Sequence, residues 1–395
     1  MKNTLKRLVL LSLILSLFTN LSAEKVKGII QGNGQPLGEV LVTDGYKFCV
    51  TDVDGRYEMD AHPDAEFVYI VTPKGYVADY SSGVPQFYQR IEAGKTEYHF
   101  DLLPMKGNPD QFAMMVMADV QLDTDHDVKR MMDELLPDAK QTVATYPDKQ
   151  MAGLVLGDIT WDVYKYNLTF KDFARQVGIP FYPVIGNHDF DKYLTPAEGA
   201  DFAKPYKDAY GPLYYAVQLG DVYFIVLNSM EYYGNKRYKT TLDLSPQMEW
   251  LSLLLKCVLQ QEKHVYLAMH APVKPSPDSP MIGGGEKLKS MLINKFHATI
   301  LSGHYHLNTN SDLGGGLWEH NVASAGGTWW TSDVCRDGTP NGYRVYVGDK
   351  SHVEQYYKST GKDKDYTPAP FPRQVEKLFS DVLTHDFTLQ QKLIL

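Results

Sequence analysis

The apolar pattern predicts an α/β fold preceded by a small all-β module, and three observations carry that prediction. Short apolar runs separated by turn signals fill residues 24 to about 103. From about residue 111, continuous apolar runs alternate with helix-compatible stretches. From about residue 311 the chain becomes richer in Gly and Trp and holds two further strand-like runs. Continuous apolar strands alternating with helices imply a sheet covered on its faces. A chain of 395 residues is too long for one ordinary core, so two or three domains are expected.

The first residues read as a secretory leader. Lys2, Lys6 and Arg7 precede the eleven-residue run Leu8–Phe18, and Leu21-Ser22-Ala23 offers a small residue for cleavage. The run is short for a bilayer span, so residues 1–23 are expected to be removed. The mature chain is then expected to be exported, periplasmic or extracellular, without a transmembrane helix. Loss of those three cations takes the formal charge from −9 to −12. An acidic chain is a poor nonspecific nucleic-acid binder, but a bound metal can still supply the local positive charge that a phosphate needs. The three cysteines, Cys49, Cys257 and Cys335, are odd in number and widely spaced, so they define no disulfide framework.

Within residues 24–104 the expected strands are Val26–Gln31, Glu39–Thr43, Phe48–Thr51 and Glu66–Val71, broken at Gly32-Asn33-Gly34 and Asp54-Gly55. Asn-Gly and Asp-Gly favour tight turns, and strands at this spacing suggest a small sandwich. In the next segment, Phe112–Ala118, Met151–Leu156 and Pro180–Ile185 are apolar, and Val128–Ala144 and Tyr164–Val177 are helix-compatible. Tyr214–Val217 and Val222–Leu227 read as a strand pair about Gly220-Asp221. Ser245-Pro246 reads as the start of a helix running to about Gln260. Val265–Met269 and Ala298–Leu301 complete the buried strands, Gly342–Val347 and Val353–Tyr357 follow, and the tail from Pro370 looks helical.

Five apolar runs end in residues of the same kind. They lead into Asp119-Val120-Gln121, Gly157-Asp158 with Asp162 four residues on, Gly186-Asn187-His188-Asp189, His270, and Gly303-His304-Tyr305-His306. Side chains at the carboxyl ends of neighbouring strands converge on one crevice. Carboxylates, amides and imidazoles together suit Mn, Fe or Zn. A dry crevice filled with ionised carboxylates is costly without cations, so metals follow from the residues themselves. Any one of these motifs would more often be a turn or a satisfied core histidine; the ordered set of five is what carries chemistry.

The order Asp119-x-Gln121, Gly157-Asp158, Gly186-Asn187-His188-Asp189, His270, Gly303-His304-x-His306 resembles the signature of the calcineurin-like metallophosphoesterases, over about 200 residues. The flanking segments resemble the N- and C-terminal modules of an exported bacterial subgroup. Residues 51–57 in particular resemble the TD-x-DG-x-Y hairpin of carboxypeptidase-regulatory-like modules. The resemblance implies a four-layer double β-sandwich flanked by helices over 108–310. Before it stands the all-β module 24–104, and after it the β-rich C-terminal module 311–395, short enough to read as truncated.

The same resemblance implies hydrolysis of a phosphoric mono- or diester, from a small molecule or a lipid headgroup, by a hydroxide between two divalent ions of Mn, Fe or Zn. Asp158 would bridge the ions, Asp119 and His306 would hold the first, and Asn187, His270 and His304 the second. His188 would act as the acid or phosphate-stabilising group, oriented by Asp189. Gln121 stands where most relatives have His, so the first ion is expected to be held more weakly. The competing expectation is a surface-binding protein whose β modules do the work and whose metal site is degraded. Trp329 and Trp330 could wall the substrate cleft or serve as packing, and Asn228 could sit behind the site.

Overall fold

The computed structural model describes residues 24–197, 200–257, 264–349 and 351–367. The leader 1–23 and the tail from Pro370 lie outside the described residues. Among the described residues no helix is long and apolar enough to cross a membrane.

The first module is two small sheets face to face. In one, Lys25–Gly32 pairs antiparallel with Arg56–Asp60 and Gln35–Pro36, and parallel with Phe100–Pro104; Tyr76–Ala78 completes it. In the other, Leu41–Thr43 lies between Phe48–Val50 and Phe67–Ile70, with Tyr88–Arg90 outside. The alternating burial of Lys25–Gly32 sends Val26 and Ile30 inward, as a strand with one wet face requires. Asn33-Gly34 forms a two-residue hairpin loop in which φ is 53° and 72°, the doubly left-handed turn that Asn-Gly favours. Residues 51–57 do not form the expected hairpin. Asp52 Oδ1 accepts from the Asp54 and Arg56 amides at 2.9 and 2.8 Å, and this turn carries the chain from Phe48–Val50 in one sheet to Arg56–Asp60 in the other.

The centre is a pair of larger sheets. The first has the order Phe181–Pro183, Lys149–Val155, Asn108–Met117, Gly342–Gly348, Val353–Ser359. The second has the order Tyr215–Leu219, Val222–Val226, His264–Ala268, His297–Ser302, Trp318–Asn321, Thr309–Asp312. Three strands of the first sheet and four of the second run parallel. Strand Asn108–Met117 explains the layering. Phe112, Met114 and Val116 share a core with Phe224, Val265 and Ile300 of the second sheet. Ala113, Met115 and Met117 point the other way, into a core with Leu135, Phe170 and Phe173. Full burial of each such side chain contributes about 1.5–3 kcal/mol.

Helices Leu136–Thr145 and Tyr166–Val177 thus cover the first sheet. Leu251, Leu254, Leu288 and Leu292, from helices Gln247–Cys257 and Gly285–Leu292, join the core of the second. These are the four layers of a double β-sandwich flanked by helices. The strands after residue 308 add to the two central sheets and do not form a layer of their own.

Candidate metal centre

Each sheet presents the carboxyl ends of its parallel strands at the same rim. Asn108–Met117 leads to Asp119, Lys149–Val155 to Asp158, Phe181–Pro183 to Asn187, His264–Ala268 to His270, and His297–Ser302 to His304 and His306. The strand-end loops are tied together by backbone bonds: Asp119 N–H to Gly157 O (3.2 Å), Gln121 N–H to Asp158 O (2.8 Å) and Gly303 N–H to His270 O (2.8 Å). Close approach dictates glycine here. A Cβ on Gly186 would lie 2.2 Å from the Asp158 amide nitrogen, and one on Gly303 would lie 2.6 Å from Asp119 Oδ2.

The backbone is also strained at this rim. Thirteen described non-glycine residues have positive φ, and eight of them are Asp119, Gln121, Asp158, Asp162, His304, His306, Trp329 and Trp330. Such clustering marks a place where surrounding structure holds residues in costly conformations.

The tightest group of donors is Asp158, His270 and His304, whose ligand atoms lie within 4.8 Å of one another. His270 Nδ1 lies 2.7 Å from Leu156 O, so the neutral ring donates there and leaves a lone pair on Nε2. That nitrogen is 3.1 Å from Asn187 Oδ1, 3.1 Å from His304 Nδ1 and 3.3 Å from Asp158 Oδ1. Four electron-pair donors face one another in a buried place. One proton can satisfy only one of the contacts, and a divalent cation would satisfy all of them. Without a cation, burial opposes charge on His270, but the Asp158 carboxylate overcomes it and pushes the ring up to about 9. Burial, joined by His270, holds His304 down to about 4.

A second group adjoins the first. His306 Nε2 is 3.4 Å from Asp119 Oδ1, and both Asp119 oxygens accept from the His304 amide. Gln121 Nε2 donates to Asp158 Oδ2 at 3.3 Å, while Gln121 Oε1 is buried with no hydrogen-bond partner. An orphaned buried carbonyl costs about 1–3 kcal/mol, and a cation beside Asp119 and His306 would relieve it. The residues present therefore fit divalent metal ions.

His188 lies at the edge of the cluster, with Nε2 4.0 Å from Asp158 Oδ2. Its expected partner is corrected by the structure. Asp189 accepts from the amides of Gly186 (2.8 Å), Ile159 (3.1 Å) and Thr160 (3.3 Å), so it staples two of the loops from behind. Burial and the neighbouring Asp158 push Asp189 up to about 7. The carboxylate at His188 Nδ1 is that of Asp162, at 2.9 Å. Trp161 stacks on the His188 ring with centroids 3.6 Å apart, and Lys192 Nζ is 2.7 Å from Nδ1.

Sequence reasoning missed these three. Asp162 was visible only as a second acid four residues after Asp158. Of the tryptophans, Trp329 meets Trp161 edge-on and lies 5.7 Å from the His306 ring. Trp330 is buried and donates to Val120 O at 2.7 Å. The Asn228 side chain accepts from the Met230 amide at 2.8 Å, and its backbone pairs with the Gln247 side chain.

A two-sheet sandwich with buried carboxylate, amide and imidazole donors at one rim defines a metal-binding scaffold. Residues 113–308 match the model of the calcineurin-like phosphoesterases, residues 24–105 the model of the N-terminal part of such proteins, and residues 319–380 that of the C-terminal part. The chain belongs to the calcineurin-like phosphoesterase family, and membership implies divalent metal ions.

Among curated relatives, the serine/threonine-protein phosphatase CPPED1 of Homo sapiens is 28% identical over 198 residues, covering 46% of this chain and 56% of that protein. The Bos taurus counterpart is 26% identical over 197 residues, with coverage of 46% and 56%. The chain thus spans about half the length of the curated relatives it matches. Among solved structures, a dimetal phosphatase from Danio rerio aligns at 16% identity and a TM-score of 0.41, covering 62% of this chain and 98% of that one. Purple acid phosphatase PPD1 from yellow lupin aligns at 11% identity and a TM-score of 0.43, covering 82% and 67%.

Proposed function

We propose that the chain hydrolyses a phosphoric mono- or diester at this centre, using two divalent ions. The observation that carries the reading is that Asn187 Oδ1, His304 Nδ1 and Asp158 Oδ1 all lie 3.1–3.3 Å from His270 Nε2. Asp119, Gln121 and His306 would hold one ion, Asn187, His270 and His304 the other, and Asp158 would be shared. When bound, such ions supply Lewis acidity toward phosphoryl oxygens and activate water. The protein's own groups do the rest. His188 presents Nε2 to the cluster as a hydrogen-bond donor for the ester. Trp161 and the Asp162–Lys192 pair hold its ring. Trp329 on the His306 side and Tyr238, 6.3 Å from the His304 ring, border the cluster and limit water. The substrate class favoured is a small-molecule or headgroup phosphate ester.

The test is turnover of p-nitrophenyl phosphate and its bis ester with Mn, Fe or Zn added separately, beside Asp158→Ala. Metal-dependent turnover that chelation and the substitution abolish is expected. Retained turnover in Asp158→Ala, or no turnover and no bound metal in the wild type, would overturn the reading.

A further inference from the structure

Lys192 lies four residues past His188, where nothing in the ligand pattern calls for a cation. Its side chain is only 9% exposed, and Nζ lies 2.6 Å from Asp162 Oδ1 and 2.7 Å from His188 Nδ1. Its backbone is pinned as well: the Lys192 amide donates to Tyr164 OH (3.0 Å), which donates to Phe190 O (2.7 Å). A buried ammonium is costly unless paired, and Asp162 provides the pair. The second contact needs another explanation.

An ammonium has donors only, and an ionised carboxylate has acceptors only. The Lys192 contact with Nδ1 is attractive when Nδ1 presents its lone pair. The Asp162 contact at 2.9 Å is attractive when Nδ1 carries a hydrogen. One nitrogen cannot do both. The ammonium makes the two shorter contacts of the three, 2.6 Å to Asp162 Oδ1 and 2.7 Å to Nδ1, and the two are attractive together only when Nδ1 presents its lone pair to it. With Nδ1 accepting from Lys192, the neutral ring carries its hydrogen on Nε2, the nitrogen that faces Asp158. The Trp161 ring, stacked at 3.6 Å and 23°, fixes the plane in which that hydrogen points.

We propose that Lys192 is a positioning residue that locks His188 with its Nε2–H directed at the ester oxygen that departs, fitting the site to alkyl phosphates, whose leaving oxygen needs a donor, over aryl ones. The inference rests on the phosphoester-hydrolase reading. The ring keeps its hydrogen, and the departing oxygen takes its proton from solvent. A hydrogen-bond donor aimed at an oxygen where charge develops typically contributes about 10²–10³-fold. Its loss should fall on poor leaving groups and largely spare good ones.

The experiment compares the metal-loaded wild type with Lys192→Met and Lys192→Arg on glycerol 3-phosphate and p-nitrophenyl phosphate, with metal content measured by mass spectrometry. Lys192→Met should lose about 100-fold in kcat on the glycerol ester. That loss should be at least tenfold larger than on the aryl ester, with KM and metal content little changed, and Lys192→Arg should recover most of it. Equal losses on both esters, or no recovery with Arg, would reduce Lys192 to an ion-pair partner of Asp162 and overturn the proposal. Independently of any variant's folding, two-bond proton–nitrogen correlations on the zinc-loaded wild type, labelled at histidine, should assign the Nε2–H tautomer to His188. An Nδ1–H tautomer overturns the proposal. A wild type inactive on both esters overturns the hydrolase reading, and the tautomer assignment still decides the role of Lys192.

Discussion

Gln121 is a buried amide with one end satisfied and one end open. Its nitrogen donates to Asp158 Oδ2, which fixes the orientation of the carbonyl, and the carbonyl has no partner. A carbonyl oxygen is a harder and weaker donor than imidazole, so in the proposed two-ion centre the ion beside Asp119 should be the looser one. Gln121→His should tighten that ion by roughly tenfold, about 1.4 kcal/mol, and Gln121→Leu should leave one ion per chain after dialysis. Titration followed by mass spectrometry of bound metal checks both; unchanged stoichiometry in both variants would exclude Gln121 as a ligand. The gathering of the candidate ligands at one rim was legible in the sequence because each follows an apolar run. The partner of His188 was not. Adjacency suggested Asp189, but the turn after Gly186 sends that carboxylate back to three amides. Asp162, which lies 2.9 Å from Nδ1, has a left-handed backbone at φ 61°, and period and composition do not encode such a turn.

Strands buried on both faces were easy to read, since their side chains are apolar throughout, and the expected and observed strands at 112–118, 151–156 and 265–269 differ by a few residues at their ends. Helix Lys204–Tyr210 and the hairpin Met230–Gly234 with Arg237–Thr240 were not read, because they are short, polar and without a clean period. Strand Trp318–Asn321 was missed for the same reason, and it carries a group of consequence. Glu319 is 2% exposed and accepts from the Val273 and Lys274 amides at 2.7 and 3.1 Å, which fastens the segment after His270 to the sheet. Burial outweighs those two bonds and pushes its carboxyl from 4.5 up to about 7. A raised carboxyl binds a proton in the folded state that the unfolded chain gives up. Its contribution is therefore complete below about pH 4.5 and is lost as pH rises through about 7. Glu319→Gln keeps an acceptor and removes that slope. Urea unfolding at several pH values should show the wild type losing on the order of 2 kcal/mol relative to the variant across this window, and parallel profiles would contradict the assignment.

At the scale of the molecule, the first module and the central sandwich share one apolar cluster. Val26, Val42, Ile70 and Phe87 belong to the same core as Tyr182, Tyr215 and Phe224. The Phe87 ring lies 4.6 Å from that of Tyr215 and 6.2 Å from that of Tyr182. Trp250 Nε1 donates to Thr43 Oγ1 at 3.2 Å, Tyr214 OH to Gly45 O at 2.9 Å, and the Gln218 amide to Thr72 O at 3.0 Å. Modules joined by a flexible linker unfold separately, whereas modules that bury a common core lose it together. Calorimetry should accordingly show one unfolding transition spanning both parts. Phe87 is 2% exposed, so Phe87→Ala should open a cavity costing about 3–5 kcal/mol and lower the midpoint of that single transition. It should do so without touching the metal rim, which lies at the strand ends of the central sheets. Two resolved transitions in the wild type, with Phe87→Ala moving only one, would mean that the module is an independent unit resting on the sandwich, and that the shared core adds little to the stability of the platform that holds the metal ligands.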